Sequence, residues 1–247
     1  HGFVGHIHLN SPKSFNSLNL EMVRLMQAQL DVWKQKENLA VVFMDGAGEK
    51  AFCAGADLKM IAAGRGEELN TSDNGFGGFV YAKRTKPWIA AVNGFALAGG
   101  AELCLACEMI VASENAKFGL PEVKRGLVAG AGGMFRLPKA LPEKIAMEVI
   151  CTGNHFDAVF AEKHGLVNKV VTADDLMSVA IKLAEDIALN SPNSVKESMI
   201  FVKSASNLSE NELIENSNKL FEEILKSNDE MEGTKAFVEK RAPVWNS

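Results

Sequence analysis

Two glutamates and two glycine-containing loops carry most of the chemistry this sequence can offer. Ala96-Leu97-Ala98-Gly99-Gly100-Ala101-Glu102-Leu103 puts adjacent glycines at what reads as a helix start, with a carboxylate in the first turn. The first N–H groups of a helix lack partners inside it and carry the positive end of its dipole. Glycine lets another molecule approach that backbone closely. Such amides bind a phosphate or stabilise an oxyanion. A second small-residue loop, within residues 51–60, also opens a helix, with Asp57 of the right type to cap it. The candidate oxyanion donors are therefore the N–H groups of Ala56 and Gly99. Glu102 and Glu122 follow in predominantly apolar surroundings, and paired carboxylates in a partly apolar cleft suit general acid and base work.

Other chemistries find less support. The sequence holds no GxSxG nucleophile elbow and no GxxxxGK[ST] phosphate loop, and residues 94–99 do not match GxGxxG. Cys104 and Cys107 have CxxC spacing but lie inside the apolar helix. A redox pair needs the helix start to lower its thiol pKa, and a zinc site needs more ligands nearby. They read as buried structural thiols, and four cysteines without a framework suit a reducing compartment. His6 and His8 share one face of a strand and could ligate a metal, but no third ligand is evident. The pair reads as a solvated strand face, and no metal is expected.

The elements that must position these groups are an α/β set. Residues 3–9 alternate as a strand, 10–14 turn, and a helix from Ser17 carries Leu18, Met22, Leu25, Met26, Leu30 and Trp33 as an apolar stripe. Residues 40–44, 89–92, 109–112 and 166–171 read as buried strands. Residues 45–48 read as a turn, and 64–78, polar and glycine-rich, as a mobile loop. After residue 171 the pattern is helical over 174–189, from Pro192 onward, and around 209–227 and 229–240. Strand–helix alternation followed by helices alone indicates an α/β core with an appendage for packing or oligomerisation.

The 247 residues suffice for one sizeable core. Hydrophobic residues make up 47% and charged residues 23%, with a net charge of −5, as in ordinary soluble domains. Without a basic excess no nucleic-acid partner is expected, and no apolar run reaches the roughly 18 residues of a membrane span. The opening His1-Gly2-Phe3-Val4 has neither signal-peptide nor transit-peptide character. The expected location is cytoplasmic, or an organellar matrix if a leader precedes His1.

Taken together, the motifs resemble those of the crotonase superfamily, the enoyl-CoA hydratase/isomerase family. Ala51-Phe52-Cys53-Ala54-Gly55-Ala56-Asp57-Leu58-Lys59 is similar to its first oxyanion-hole motif. Ala90-Ala91-Val92-Asn93-Gly94-Phe95-Ala96-Leu97-Ala98-Gly99-Gly100-Ala101-Glu102-Leu103 is similar to its second. Ala116-Lys117-Phe118-Gly119-Leu120-Pro121-Glu122 with Gly130-Ala131-Gly132-Gly133 resembles the third, and Phe237-Val238-Glu239-Lys240-Arg241 the C-terminal signature.

The resemblance implies a spiral of ββα units over residues 1–190 and a helical trimerisation region over 191–247, assembled as a homo-trimer or a hexamer of two trimers. It implies an acyl-CoA thioester substrate, with coenzyme A part of that substrate and no separate cofactor. The thioester oxygen would lie between the N–H groups of Ala56 and Gly99, while Glu102 and Glu122 hold one water for syn addition to a 2-enoyl-CoA. Lys13, Ser14, Phe15, Ala54, Asp57, Leu58 and Lys59 would contact CoA, as would Phe237 and Lys240 from a neighbouring subunit. Ala98 and Leu120 depart from the glycine and glutamine common in the family, residues 127–129 lack its proline, and Met134-Phe135 replaces a polar pair. Ala98-Gly99-Gly100 and Leu120-Pro121-Glu122 also resemble the branch that contains carnitinyl-CoA dehydratase. A Δ3,Δ2-enoyl-CoA isomerase and a non-enzymatic acyl-CoA-binding scaffold are the alternatives.

Overall fold

Short apolar runs become strands and longer amphipathic ones become helices. The structure, a computed structural model, describes residues 3–36 and 38–245; His1, Gly2, Glu37, Asn246 and Ser247 lie outside the described residues. The strands are β1 (Val4–Leu9), β2 (Val41–Gly46), β3 (Ala51–Cys53), β4 (Asn70–Thr71), β5 (Gly75–Phe76), β6 (Trp88–Val92), β7 (Phe95–Leu97), β8 (Met109–Ser113), β9 (Lys117–Gly119), β10 (Phe156–Asp157) and β11 (Lys169–Val171). The helices are α1 (Leu20–Lys34), α2 (Leu58–Ala62), α3 (Gly99–Ala106), α4 (Gly133–Ala140), α5 (Glu143–Thr152), α6 (Ala158–Lys163), α7 (Leu176–Ala188), α8 (Pro192–Ala205), α9 (Glu210–Ile224) and α10 (Asn228–Glu239).

Five strands form a parallel sheet in the order β1-β2-β6-β8-β11. Every residue of β2 and β6 is buried, as expected of parallel strands covered on both faces. On one face Val42, Met44, Ala90, Val92 and Ile110 join the main core with Val23, Met26 and Leu30 of α1 and Leu103 of α3. On the other, Val41, Phe43, Ile89, Ala91 and Val111 pack on Leu176, Ala180 and Ala184 of α7. A second sheet runs β10-β9-β7-β3. The chain alternates between the two sheets, so β2-β3-α2 and β6-β7-α3 are successive turns of the expected ββα spiral.

Several boundaries differ from the sequence reading. The first helix begins at Leu20, because Asn19 accepts the Met22 N–H at 2.9 Å and so acts as its cap. Its buried stripe includes Val23, and Leu25 is 64% exposed. β2 continues through Asp45 and Gly46, which pair with His8 and Leu9, so the expected turn starts later. The 64–78 segment is built rather than open. It contains a 3-10 turn, Gly66–Leu69, and the β4–β5 hairpin, and is anchored by buried Leu69, Asn74 and Phe76. Residues 134–165, unassigned in the sequence reading, hold most of α4 and all of α5 and α6. Beyond β11 the described chain is helical, with α8 capped by Ser191 and α9 closed by a Ser209–Glu212 capping box. Among the described residues no helix is long and apolar enough to cross a membrane.

Candidate active site

The site begins with a close meeting of two loops. Leu18 bridges Ala56, with Leu18 N–H donating to Gly55 O at 2.7 Å and Asp57 N–H to Leu18 O at 3.0 Å. This pattern leaves the intervening Ala56 N–H pointing away from its bridge partner. Gly55 has φ +92°, and a Cβ there would lie 2.9 Å from Gly99 N and 3.2 Å from Leu97 O. Glycine is thus what allows the loop before α2 to touch the start of α3. Gly100 meets a tighter limit, since a Cβ would lie 1.9 Å from Cys53 O. Among the described residues the N–H groups of Ala56 and Gly99 have no acceptor, as expected for a helix start that serves something else.

α3 then sets Glu102 one turn below Gly99, buried to 3% exposure. Its Oε1 accepts the Gly133 N–H at 2.8 Å, and Gly133 is the first residue of α4. A Cβ on Gly133 would sit within 3.1 Å of that same oxygen. Burial pushes the Glu102 carboxyl up to about 7, against the pull of the Gly133 and Ala131 N–H groups and the Arg136 guanidinium; the neighbouring Glu122 charge adds to the rise. Glu122 stands in a 3-10 turn, Pro121–Arg125, and is half-buried. Its carboxyl is also raised by burial, and its Oε2 is buried without a hydrogen-bond partner among the described residues.

Three further side chains lie close by. The Phe76 ring lies where a Gly99 side chain would be, 2.4 Å from its Cβ position. Tyr81 donates its hydroxyl to Gly130 O at 2.8 Å, and Arg136 donates to Ala131 O at 3.2 Å and to Val80 O. The sequence did not single out Phe76 beside Gly99, Tyr81 on Gly130, or Gly133 and Arg136 beside Glu102. The Gly130-Ala131-Gly132-Gly133 run was visible as a motif, but its role as the seat of Glu102 needed the fold.

The residues expected to contact CoA fall into two groups. Lys13 and Ser14 lie in the exposed 3-10 turn Pro12–Ser14, and Phe15 follows with φ 54°. Asn16, fully buried, donates to Ala47 O and Ala51 O and so fixes this turn. Ala54 N–H donates to Phe15 O at 3.0 Å, which sets Ala54, Asp57, Leu58 and Lys59 beside it. Asp57 caps α2 through the Lys59 N–H, while Leu58 is 69% exposed. Phe237 and Lys240, at the end of α10, are exposed, and neither side chain has a partner among the described residues. Cys53 and Cys104 are buried, Cys107, expected to be buried, is half-buried, and Cys151 is exposed; desolvation pushes Cys53 and Cys107 up to about 12 and Cys104 upward.

Comparison with known proteins bears on the family and the fold. The family model described as enoyl-CoA hydratase/isomerase matches residues 2–247. A probable mitochondrial enoyl-CoA hydratase of Dictyostelium discoideum is 39% identical, covering 100% of this chain and 88% of that protein. The carnitinyl-CoA dehydratase of Proteus mirabilis is also 39% identical, over 99% of this chain and 95% of its own. Among solved structures, an enoyl-CoA hydratase from Mycobacterium tuberculosis superposes with a TM-score of 0.94 at 40% identity, covering 100% of this chain and 96% of that one. The chain therefore belongs to the enoyl-CoA hydratase/isomerase family, and its fold is that of the crotonase superfamily.

Proposed function

We propose that the protein is an enoyl-CoA hydratase, adding water reversibly and syn across the double bond of a 2-enoyl-CoA thioester. The observation that carries this reading is the acid pair, one carboxylate pinned by the Gly133 N–H and the other with a buried, unpartnered oxygen. The Ala56 and Gly99 N–H groups would receive the thioester oxygen as it gains charge. Glu102, once ionised, takes a proton from the water as its oxygen bonds C3. Glu122 delivers a proton to C2 as the enolate collapses, and the pair resets when the proton on Glu102 passes to Glu122. Each such group typically contributes about 10²–10⁴-fold.

The test is the absorbance of crotonyl-CoA at its enoyl band. A hydratase bleaches it with water uptake, whereas an isomerase creates it from a 3-enoyl thioester and needs only one main acid–base group. No change with any enoyl thioester would favour the scaffold reading. The similarity to a carnitinyl-CoA dehydratase supports a second substrate class, quaternary-ammonium acyl-CoA, and a panel of short, long and quaternary-ammonium thioesters separates the two.

Lys13, Ser14, Phe15, Ala54, Asp57, Leu58 and Lys59 are read as the CoA contacts, joined by Phe237 and Lys240 of a neighbouring copy. Exposed apolar residues on the C-terminal helices, including Val202, Phe221, Phe237 and Val238, support a trimer or a hexamer of two trimers, with 191–247 as the assembling region. No cofactor beyond the CoA of the substrate and no nucleic-acid partner enter this reading. Fatty-acid metabolism in the cytoplasm, or in an organellar matrix, is the setting it suggests.

A further inference from the structure

Outside the cleft, β1 and β2 bring together three groups that the sequence separates. His8 lies opposite Asp45 and His6 opposite Phe43 in the parallel register, so strand alternation puts His6, His8 and Asp45 on one face. His6 Nε2 is 2.6 Å and His8 Nδ1 2.9 Å from the same oxygen, Asp45 Oδ1. One ligand atom from each residue falls within 4.8 Å of the others. The His6 ring stacks on Phe43 with centroids 4.2 Å apart and planes 16° from parallel, which holds its Nε2 toward Asp45. The Asp45 side chain is 11% exposed, whereas those of His6 and His8 are 41% and 45% exposed, so the site is closed beneath and open above.

We propose that His6 Nε2, His8 Nδ1 and Asp45 Oδ1 bind one divalent transition-metal ion of the zinc class. Two imidazoles and a carboxylate suit such an ion, and three protein ligands leave a position for water. Calcium and magnesium are disfavoured because they take oxygen ligands. Bond lengths of about 2.0–2.2 Å put neighbouring ligand atoms roughly 3–3.5 Å apart, so the exposed rings need only small rotations. Each neutral ring carries its proton on the opposite nitrogen, toward water, when the metal is bound. The ion would tie β1, the strand at the edge of the sheet beside β2, to its neighbour. Ligands from different strands bind only once the sheet has formed, so the ion stabilises the folded chain.

The test uses the full chain stripped with a chelator and titrated with Zn²⁺, then with Co²⁺ as a visible probe. The expected result is one ion per chain, cobalt d–d bands without thiolate charge transfer, and a melting temperature that rises with Zn²⁺. In a His6→Gln/His8→Gln variant with unchanged far-UV dichroism, affinity should fall by about tenfold or more and the thermal shift should vanish. Unchanged affinity in that variant, thiolate ligation by the cysteines, or no binding by the wild-type chain would each overturn the proposal. If the variant fails to fold, ring ¹⁵N shifts of the wild-type histidines on adding Zn²⁺ decide. Shifts confined to His1, His155 or His164 would count against it.

Discussion

Glu102 and Glu122 are neighbours held in contrasting seats. Glu102 sits in the first turn of a buried helix, its oxygen held by a backbone N–H from α4. Glu122 sits in a 3-10 turn beside exposed Val123, Leu127 and Val128, with an oxygen that nothing among the described residues satisfies. A buried polar atom without a partner costs free energy, and of the two carboxylates only Glu122 carries that cost. The difference suggests a fixed group that orients water and a less constrained group whose unmet oxygen awaits it.

That contrast can be broken first at Glu122. Glu122→Gln should lower the kcat for hydration of crotonyl-CoA by about 10²–10⁴-fold while acyl-CoA binding, read by calorimetry, persists. Near-normal turnover would remove Glu122 from the chemistry. Next, Gly55→Ala places a methyl group 2.9 Å from Gly99 N in a backbone with φ +92°. Parting the two loops should cost about 10²–10³-fold in kcat, with both glutamates intact. A variant that folds and keeps full rate would show that the meeting of the loops is not needed.

The third prediction concerns stability. Burial raises Glu102 from 4.5 to about 7, so the folded state binds its proton more tightly than the unfolded chain. The associated stability is fully present below about pH 4.5 and is lost as pH rises to about 7. At about 1.4 kcal/mol per pH unit the loss is roughly 3 kcal/mol. Glu102→Gln should therefore melt higher than wild type at pH 8 and similarly near pH 4.5, while losing hydratase activity. A lower melting temperature at pH 8 would show that the ionised form is the better fit. The smallest effect is expected at Lys13→Ala, which should raise KM for the thioester about tenfold with kcat retained; unchanged KM would remove Lys13 from the CoA contacts.

Local signals survived the passage from sequence to structure best. Asp57 and Pro192 mark helix starts through chemistry contained within a few residues, and α2 and α8 begin there. Gly99 and Glu102 were legible for the same reason, since helix periodicity alone places a first-turn carboxylate near free amides. Contacts across long stretches of chain were not. Gly133 lies 31 positions from the carboxylate it holds, and Asp45 lies 37 positions from His8. Asp45-Gly46 resembles turn chemistry, and only pairing with β1 makes it strand. α4 was left unassigned, and it carries Pro138 within it, a residue that usually argues against a helix interior. The 64–78 segment looked mobile from its composition, but composition does not reveal that Leu69 is buried and that Phe76 packs against the α3 start.

The Tyr81 hydroxyl, fastened to Gly130 O, spans from the strap that includes the β4–β5 hairpin to the glycine run ending at the seat of Glu102. Were the acyl group to lie against that strap, remodelling it to admit a different one would pull on the anchor of Glu102. Among relatives that share this tether, changes in substrate preference and changes in turnover should arrive together, whereas a chain that cuts it, as Tyr81→Phe would, frees the one to drift without the other.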